Sequence, residues 1–410
     1  MNALEVMKER GFLKQCSDED ELAKIMAKQK IPFYAGFDPT ADSLHIGSLV
    51  PIMAMAHLQQ AGHTPIVLIG GGTTLIGDPS GKTTDRRLMS REEITSNGEK
   101  IREQFTRYLQ LGSEQGMFVN NADWLCSLNY IEFLRDIGKY FRVNEMLRAE
   151  SNRRRLEREE GLSFIEFNYQ LLQAYDFLVL FDQYGCCLQI GGDDQWSNIL
   201  AGSDLIRRMR SAPAFGLTLP LISTATGGKM GKTESGAIWL DVGRTSPYDF
   251  YQYWINCDDR DVVRWLAMFT FLPMTEVDQL AQLQGADIRQ AKKVLAYETT
   301  KLAHGQAEAD KATTTSLALF TEQGGGATEQ PDLVITRQNF GDGINIVDLL
   351  VTVGLASSKS EAHRLIKQGG AYVNNRAVAS SETMVTAQDI KDHHIQLRKG
   401  KKQQRSVRIE

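Results

Sequence analysis

The sequence predicts an α/β fold built on an open parallel sheet, followed by a helical region and a small α+β domain. Between residues 30 and 225, short β-rich runs alternate with helical stretches, which is the pattern of parallel strands joined by crossover helices. From Ser246 to about Phe320 the apolar residues recur at helical spacing. A glycine-rich break, residues 323–331, then precedes a further compact segment.

Each predicted strand is an apolar run that ends at, or is followed by, glycine, asparagine or aspartate. In an open parallel sheet, ligands bind beyond the carboxyl ends of the strands. We therefore expect the polar clusters at residues 36–38, 70–78 and 191–195 to meet in one crevice. The predicted strands are Phe33–Phe37, Ile66–Gly70, Met117–Asn120 and Leu188–Gly191.

The end of the chain combines a helix-turn-helix-like stretch, residues 347–368, with a strand and turn at residues 369–375. The pattern as a whole predicts four consecutive parts. These are a sheet domain at residues 1–225, a helical domain at 226–325, a linker at 326–343 and a terminal domain at 344–410.

The composition is that of a globular protein. Its 410 residues are 42% hydrophobic and 24% charged, enough for two or three domains with substantial cores. No stretch approaches the roughly eighteen apolar residues of a membrane helix, and the N-terminus lacks the apolar run of a signal peptide, so we expect a cytoplasmic protein. The five cysteines form no Cys-x-x-Cys pair and the seven histidines do not complement them, so we expect neither a disulfide nor a structural metal.

Charge is distributed unevenly along the chain. Residues 355–410 hold eleven Lys or Arg against five Asp or Glu, a net charge of +6, which leaves −11 for the first 354 residues. Positive charge concentrated on one module attracts phosphate backbones even when the whole protein is acidic. We therefore expect the terminal domain to bind a polyanion, RNA or DNA.

Two segments far apart in the sequence carry residues suited to ATP chemistry. His45-Ile46-Gly47-Ser48 follows a predicted strand and opens an apolar helix, where backbone N–H groups can meet phosphate and a side chain at Gly47 would block a phosphate or an adenine ring. Lys229-Met230-Gly231-Lys232-Thr233 adds paired ammonium groups. Taken alone, the first segment can be read as an ordinary helix entry, and the second as a solvated loop. Taken together, the two segments favour a site that splits ATP.

A polar stripe marks one face of an otherwise apolar predicted helix. Tyr169, Gln173 and Asp176 are spaced i, i+4 and i+7 among leucines and phenylalanines. Buried polar groups need hydrogen-bond partners, so the stripe is either a structural network or a ligand site. Spacing alone leaves both interpretations open.

Four motifs occur in a characteristic order: YAGFDPTADSLHIG at residues 34–47, GDPSGK at 77–82, QIGGDDQW at 189–196 and KMGKT at 229–233. Their order and spacing resemble those of bacterial tyrosyl-tRNA synthetases, and the resemblance covers almost the whole chain. It implies a class I synthetase with a Rossmann-like catalytic domain, a helical domain on the anticodon side and a terminal RNA-binding domain of the S-four type, named for a ribosomal small-subunit protein.

The resemblance also implies a two-step reaction. Tyrosine and ATP, which carries Mg²⁺, give tyrosyl-adenylate and pyrophosphate, and the tyrosyl group then moves to the 3′-terminal adenosine of tRNA(Tyr). Because the amino acid's own carboxylate attacks the α-phosphorus, the protein mainly aligns the reactants and stabilises charge on the phosphates. No protein-held metal is implied.

By resemblance, these motifs supply the ATP site and the catalytic groups. Thr40 and His45 contact the phosphates in the transition state, and the departing pyrophosphate is held by Lys82, Arg86, Lys229, Lys232 and Thr233. ATP itself is bound by Gly36, Asp38, His45, Gly47, Ser48, Gly192, Asp194 and Lys232.

The same resemblance implies that the polar stripe binds the substrate tyrosine. Asp176 and Tyr34 hydrogen-bond the phenolic hydroxyl of tyrosine, and phenylalanine would leave these groups unpaired. Asp78, Tyr169 and Gln173 surround the substrate's ammonium group, and Gln195 completes the tyrosine site.

Expected partners are therefore L-tyrosine, ATP, tRNA(Tyr) and a second copy of the chain. The predicted contacts to tRNA are Arg207, Arg208, Arg364, Lys367, Lys399, Lys401 and Lys402. Phe133, Ile137, Phe141 and Met146 recur at near-helical spacing, which is typical of a core. In the family this region forms a two-fold interface, so the resemblance implies a homodimer.

Several positions depart from the usual family pattern. Ser48 stands where a second histidine is common, Gly231 where serine is common, and Asp193 and Ser197 where many relatives carry serine and glycine. The added carboxylate of Asp193 beside the expected ATP site could coordinate magnesium or face solvent, and we expect it to face solvent. Two further hypotheses stay open: another adenylyl-transferring enzyme of the superfamily, including a tryptophan-specific synthetase, and a noncatalytic RNA-binding protein.

Overall fold

The protein is described from a computed structural model. The described residues are 2–78, 89–112, 115–157, 162–225, 227–228, 230–233, 236–320, 333–341, 343–374, 376–391, 394–400 and 403–409. The chain divides into two compact units, Met1–Thr313 and Thr314–Glu410.

Within the described residues, a six-stranded sheet forms the centre of the first unit, in the order β1-β6-β5-β2-β3-β4. All neighbours are parallel except β1, which pairs antiparallel with β6. The predicted strands and the open parallel α/β sheet are thus confirmed, with an antiparallel edge added. The strands are β1 (Gln15–Cys16), β2 (Pro32–Phe37), β3 (Thr64–Ile69), β4 (Met117–Asn120), β5 (Leu188–Gly192) and β6 (Phe215–Leu219).

Helices cover the sheet. They are α1 (Ala3–Glu9), α2 (Glu19–Lys28), α3 (Leu49–Gln60), α4 (Arg91–Phe105), α5 (Ala122–Leu125), α6 (Tyr130–Asp136), α7 (Val143–Met146), α8 (Glu150–Glu157), α9 (Phe164–Tyr184) and α10 (Trp196–Arg210). Helix α3 is apolar on nearly every side, because it is buried against the sheet and neighbouring helices. Helix α9 begins at a capping box between Ser163 and Glu166 and ends at Gly185, whose φ is +64°.

The helical stretch predicted from Ser246 onward is confirmed. A short hairpin, β7 (Lys232–Thr233) and β8 (Gly236–Ala237), precedes it. Its core includes the fully buried Trp254 and Trp265, and joins the core beneath the sheet. The helices are α11 (Pro247–Ile255), α12 (Val262–Phe269), α13 (Met274–Ala281), α14 (Ile288–His304) and α15 (Gln306–Phe320), and the boundary between the units falls in α15.

The second unit has a core of its own. Among its described residues, five strands form one sheet in the order β12-β11-β14-β15-β9, and β10 pairs with β13. Part of the segment predicted as a linker forms β9 and α16, because β9 pairs in parallel with β15. The elements are β9 (Leu333–Ile335), α16 (Arg337–Phe340), β10 (Ile344–Asn345), α17 (Ile346–Thr352), α18 (Lys359–Lys367), β11 (Ala371–Val373), β12 (Arg376–Ala377), β13 (Met384–Val385), β14 (His394–Lys399) and β15 (Gln403–Ile409).

Candidate functional site

The strand order of the first unit reverses at β2, and ligands of such sheets bind beyond the carboxyl ends of the strands at this point, a region we call the crevice. Strand β2 lies beside β5 on one side and β3 on the other, so the chain leaves these strands in opposite directions. Gly36, inside β2, is exposed, and a Cβ added there would meet only Leu68 Cδ2, at 4.0 Å. The missing side chain therefore leaves room for a ligand directly over the sheet.

A phenol and a carboxylate are buried close enough together for the charge of one to affect the other. The Tyr34 side chain, on β2, is 1% exposed, and its hydroxyl has no hydrogen-bond partner among the described residues. Asp176, on α9, is 2% exposed and accepts hydrogen bonds from Asn121 Nδ2 at 2.9 Å and Trp124 Nε1 at 2.7 Å. Buried polar groups are normally hydrogen-bonded, so the Tyr34 hydroxyl is a candidate for a contact with a ligand.

Burial controls the ionisation of these groups. It raises the pKa of Asp176 to about 7, although the hydrogen bonds from Asn121 and Trp124 oppose the shift. Burial also raises the pKa of Tyr34 and Tyr169 well above the usual tyrosine value, and nearby aspartates add to the effect. Both phenols are therefore neutral donors near pH 7, while Asp176 is poised to change its charge.

The polar stripe lies on a single helix, α9, as its spacing predicts. Gln173 Oε1 accepts from Asn198 Nδ2 at 3.0 Å, and the same amide contacts Gln195 Oε1 at 3.2 Å. Gln195 Nε2 in turn donates to Asp78 Oδ2 at 2.9 Å. These bonds bring together three segments, namely α9, residues 195–198 and the loop at Asp78, and they give Gln173 a partner within the protein.

Asn121 was not singled out in the sequence, yet it organises the opposite wall. Its side chain is 1% exposed and donates to Thr73 Oγ1 at 3.0 Å as well as to Asp176, while its oxygen accepts from Gly72 N at 2.7 Å. Thr73 Oγ1 in turn donates a hydrogen bond to Asp38 Oδ1 at 3.1 Å. No local pattern marks this residue, because its partners lie far away in the sequence.

The loop that leads to His45 is held from α4. Asn97 Nδ2 donates to Pro39 O at 3.1 Å, and Gln104 Oε1 accepts from Leu44 N at 2.9 Å. Both side chains are 8% exposed. The exposed Thr40 lies in the segment that these amides fix.

His45 caps the helical turn at residues 46–48. Its Nδ1 accepts from Gly47 N at 2.9 Å, and its side chain is exposed to the crevice. A Cβ at Gly47 would lie 2.6 Å from His45 Cε1. A side chain at Gly47 would therefore displace the His45 ring from this position, a reason for glycine that the sequence did not supply. The Ser48 side chain makes no capping bond to the helix.

The two motifs proposed to act on ATP are joined by backbone hydrogen bonds. Ile46 N donates to Ile238 O at 3.0 Å, and Ile238 N donates to Gly231 O at 2.9 Å. Gly231 is buried with φ at +76°, and a Cβ there would lie 3.2 Å from Ile46 Cβ and 3.3 Å from Gly47 N. Serine would fit this position poorly, because both the backbone conformation and the close approach favour glycine.

Asp194 and Asp193 follow β5 but have different surroundings. Asp194 is exposed at the crevice, and partial desolvation followed by the charge of Asp78 raises the pKa of its carboxyl group. Asp193 Oδ1 accepts from Gln15 Nε2 at 2.7 Å and Thr218 Oγ1 at 2.8 Å. The expectation that Asp193 faces solvent is therefore wrong, because the antiparallel edge strand β1 supplies it with a partner. Gly192 lies beside this turn, where a Cβ would meet Asp194 Oδ1 at 2.5 Å.

Several predicted site residues lie outside the described part of the chain. These are Lys82, Arg86, Lys229, Lys401 and Lys402. Lys232 and Thr233 are described by their backbone alone, which forms β7. The backbone of Lys232 pairs with that of Ala237, one residue before the Ile238 contact.

The basic residues predicted to contact RNA differ in their partners. Arg208 forms an ion pair with Asp204 at 2.6 Å and donates to Tyr140 O at 2.9 Å, and Arg207 also pairs with Asp204. In the second unit, Lys399 pairs with Glu361 at 2.7 Å. Arg364 and Lys367 are exposed on α18.

Phe133, Ile137 and Met146 are buried, which confirms the core interpretation of their spacing, and Phe141 is partly buried against the same core. Other large apolar side chains in this region are exposed. They are Tyr130, Ile131, Leu134, Val143, Leu156, Phe164 and Ile165. Exposed apolar side chains concentrated in one region indicate an interaction surface.

In the described part of the chain, no group of three or more His, Cys, Asp or Glu is arranged to hold a metal ion. No described helix combines the length and apolarity needed to cross a membrane.

Known proteins resemble this chain over most or all of its length. The family described as tRNA synthetases class I (W and Y) matches residues 26–321, and the tyrosine–tRNA ligase SYY-like C-terminal domain matches residues 326–407. The tyrosine–tRNA ligase of Desulfosudis oleivorans is 51% identical, with 99% of each chain covered. That of Caldanaerobacter subterraneus subsp. tengcongensis is 52% identical, with 98% of each chain covered.

A solved structure shares the fold of the first unit and part of the sequence. The C-terminally truncated mitochondrial tyrosyl-tRNA synthetase of Aspergillus nidulans is 32% identical and superimposes with a TM-score of 0.70. The alignment covers 78% of this chain and 94% of that one.

Proposed function

This chain belongs to the class I tRNA synthetases of the tryptophan and tyrosine group, and we propose that it is a tyrosine–tRNA ligase. It activates L-tyrosine with Mg-ATP, releases pyrophosphate, and transfers tyrosine to the 3′-terminal adenosine of tRNA(Tyr). The observation that carries the proposal is the buried pair of Tyr34 and Asp176, with the Tyr34 hydroxyl unmatched among the described residues. A phenolic hydroxyl bound between them would satisfy both.

Tyrosine lies in the pocket between β2 and α9. The Asp176 carboxylate accepts a hydrogen bond from the substrate phenol, and the Tyr34 hydroxyl donates one to the phenolic oxygen. At the other end of the pocket, Asp78, Tyr169, Gln173 and Gln195 surround the ammonium group, where the linked carboxylate and amide oxygens supply acceptors. Phenylalanine has no hydroxyl and would leave the buried polar groups of Tyr34 and Asp176 unpaired, so it should bind much more weakly than tyrosine.

ATP occupies the carboxyl ends of the strands. Gly36, Asp38, Gly47, Ser48 and Gly192 line its site, and Asp194 accepts from the ribose hydroxyls. His45 and Thr40 contact the phosphates, while Lys82, Arg86, Lys229, Lys232 and Thr233 hold pyrophosphate as charge develops on it. Preorganised donors of this kind stabilise the transition state more than the bound substrates.

The second unit binds tRNA. Its net positive charge and the exposed Arg364 and Lys367 support this role. Lys399, Lys401 and Lys402 are the further tRNA contacts proposed from the sequence. Arg207 and Arg208 contribute on the first unit. In this proposal, residues 1–225 bind tyrosine and ATP, and residues 226–325 contain the second ATP motif and the helical domain. Residues 344–410 bind tRNA, and residues 326–343 connect them to the helical domain.

The enzyme acts as a homodimer in the cytoplasm. The exposed apolar side chains of α6 and α7, together with Phe164 and Ile165 at the start of α9, support a two-fold interface.

The proposal is tested by ATP–pyrophosphate exchange with each of the twenty amino acids in turn. We expect exchange with tyrosine alone. Exchange with tryptophan would favour the other specificity of the family, and exchange with none would favour a noncatalytic RNA-binding protein.

A further inference from the structure

Two side chains of the helical region accept hydrogen bonds from backbone N–H groups in and just before the second ATP motif. The Gly231 N–H donates to the hydroxyl oxygen of Tyr253, on α11, at 3.1 Å. The Ala225 N–H donates to Asp261 Oδ2, just before α12, at 2.8 Å. The two bonds lie on either side of Lys229, and Lys232 follows Gly231 directly.

Both anchors are held rigidly by their own neighbours. The Tyr253 ring stacks on Trp265 with an interplanar angle of 11° and meets Trp254 edge-on at 5.4 Å. Burial raises the pKa of Tyr253 to about 12, so its hydroxyl is neutral over the working pH range. Asp261 is 2% exposed and also accepts from Arg264 at 2.8 Å, and Arg264 donates to Ser223 O at 2.8 Å.

Gly231 lies directly against the first ATP motif. Gly231 O accepts from Ile238 N, and Ile238 O accepts from Ile46 N, so the position of Gly231 is transmitted to the turn that His45 caps. Met230, next to Gly231, is 6% exposed in the common core. A shift of Gly231 would therefore disturb the backbone on which the phosphate-facing residues depend.

We propose that Tyr253 and Asp261 are positioning residues for ATP, which hold the backbone of Gly231 and Ala225, and through Gly231 the turn at residues 46–48, without contacting the substrate. This inference rests on the proposed function, because the ATP role of the two motifs does. It assigns the helical region a part in adenylate formation in addition to its place in the fold.

The test compares Tyr253→Phe with Tyr251→Phe in the full-length protein. Tyr251 is on the same helix, and its hydroxyl bonds to the side chain of Thr313, so the control removes a matched hydroxyl away from the motif. From the value of one neutral hydrogen bond, we expect Tyr253→Phe to lower kcat/KM for ATP in pyrophosphate exchange by about fivefold. The KM for tyrosine of Tyr253→Phe should stay within about twofold of the wild-type value. For Tyr251→Phe, both kcat/KM for ATP and KM for tyrosine should stay within about twofold of the wild-type values.

Asp261 provides a second pair of variants. Asp261→Asn keeps an oxygen that can accept from Ala225 N–H, whereas Asp261→Ala does not. We expect the alanine variant to lose more of the kcat/KM for ATP than the asparagine variant, again with an unchanged KM for tyrosine.

Hydrogen exchange of the peptide covering residues 230–240 gives a readout independent of activity. It should be faster in Tyr253→Phe than in both the wild type and Tyr251→Phe. Unchanged exchange and an unchanged kcat/KM for ATP in Tyr253→Phe would overturn the proposal, as would equal losses for ATP and tyrosine. If the wild-type protein fails to activate tyrosine, the proposed function fails, while the hydrogen-exchange comparison still decides whether Tyr253 holds the segment.

Discussion

Two buried asparagines determine how the polar groups of the crevice are oriented. Asn121 uses both its N–H groups and its oxygen, and thereby fixes Asp176 relative to Thr73 and the backbone of Gly72. The Asn198 amide N–H groups donate to both Gln173 and Gln195 and so hold these two side chains in place. Selectivity between amino acids depends on such fixed partners, because a mobile acceptor could turn to water when the ligand lacks a hydroxyl.

Asp176 makes tyrosine binding depend on pH. Its pKa is raised to about 7, so the carboxylate that accepts the phenolic proton is progressively lost below that pH. We expect the Kd for tyrosine, measured by equilibrium dialysis without ATP, to rise between pH 8 and pH 6, by up to about tenfold per pH unit below the pKa. Asp176→Asn should bind tyrosine weakly at every pH in this range. A constant Kd in the wild type would contradict the role of Asp176.

The raised pKa of Asp176 gives folding stability a pH dependence opposite to that of tyrosine binding. Because the pKa of Asp176 in the folded protein is above its ordinary value of 3.8, the protonated form stabilises the fold. That contribution is complete below the unfolded pKa and is lost as the pH rises through about 7. Conditions that favour tyrosine binding thus reduce the contribution of Asp176 to stability.

At the scale of elements, helix α9 shows what spacing can predict. Its polar stripe and the strand ends beneath it follow from periodicity, so Tyr169, Gln173 and Asp176 could be grouped before the fold was known. Asn121 and Asn198 could not, because single asparagines carry no periodic signal and their partners come from other elements. Asp193 was misinterpreted for a similar reason: its partner Gln15 is on β1, an edge strand of two residues.

Gly231 connects the hairpin β7–β8 to the helical turn at residues 46–48, and its substitution tests that contact. Gly231→Ala combines a strained φ with the approach to Ile46. Gly227→Ala shares the strain, since its φ is +87°, but a Cβ there would have no atom within 4 Å. We expect kcat/KM for ATP to fall about tenfold in Gly231→Ala, from strain and contact together. Gly227→Ala should lose clearly less, and equal losses in the two variants would show that contact with Ile46 is unimportant.

At the scale of the whole molecule, the two units have separate hydrophobic cores. A truncation that tests their roles must remove β9, because this strand belongs to the sheet of the second unit. We expect a chain ending at Phe320 to keep pyrophosphate exchange with tyrosine within about twofold, since both ATP motifs remain. Its kcat/KM for tRNA should fall more than about tenfold with the loss of phosphate contacts. Equal loss of both activities would contradict this division.

The central claim is that this chain attaches tyrosine to tRNA. It is tested most directly by aminoacylation with radioactive tyrosine or tryptophan on transcripts of tRNA(Tyr) and tRNA(Trp). We predict that tyrosine is attached to tRNA(Tyr) and that the other three combinations give no product. Attachment of tryptophan, or no attachment of tyrosine to tRNA(Tyr), would contradict the account.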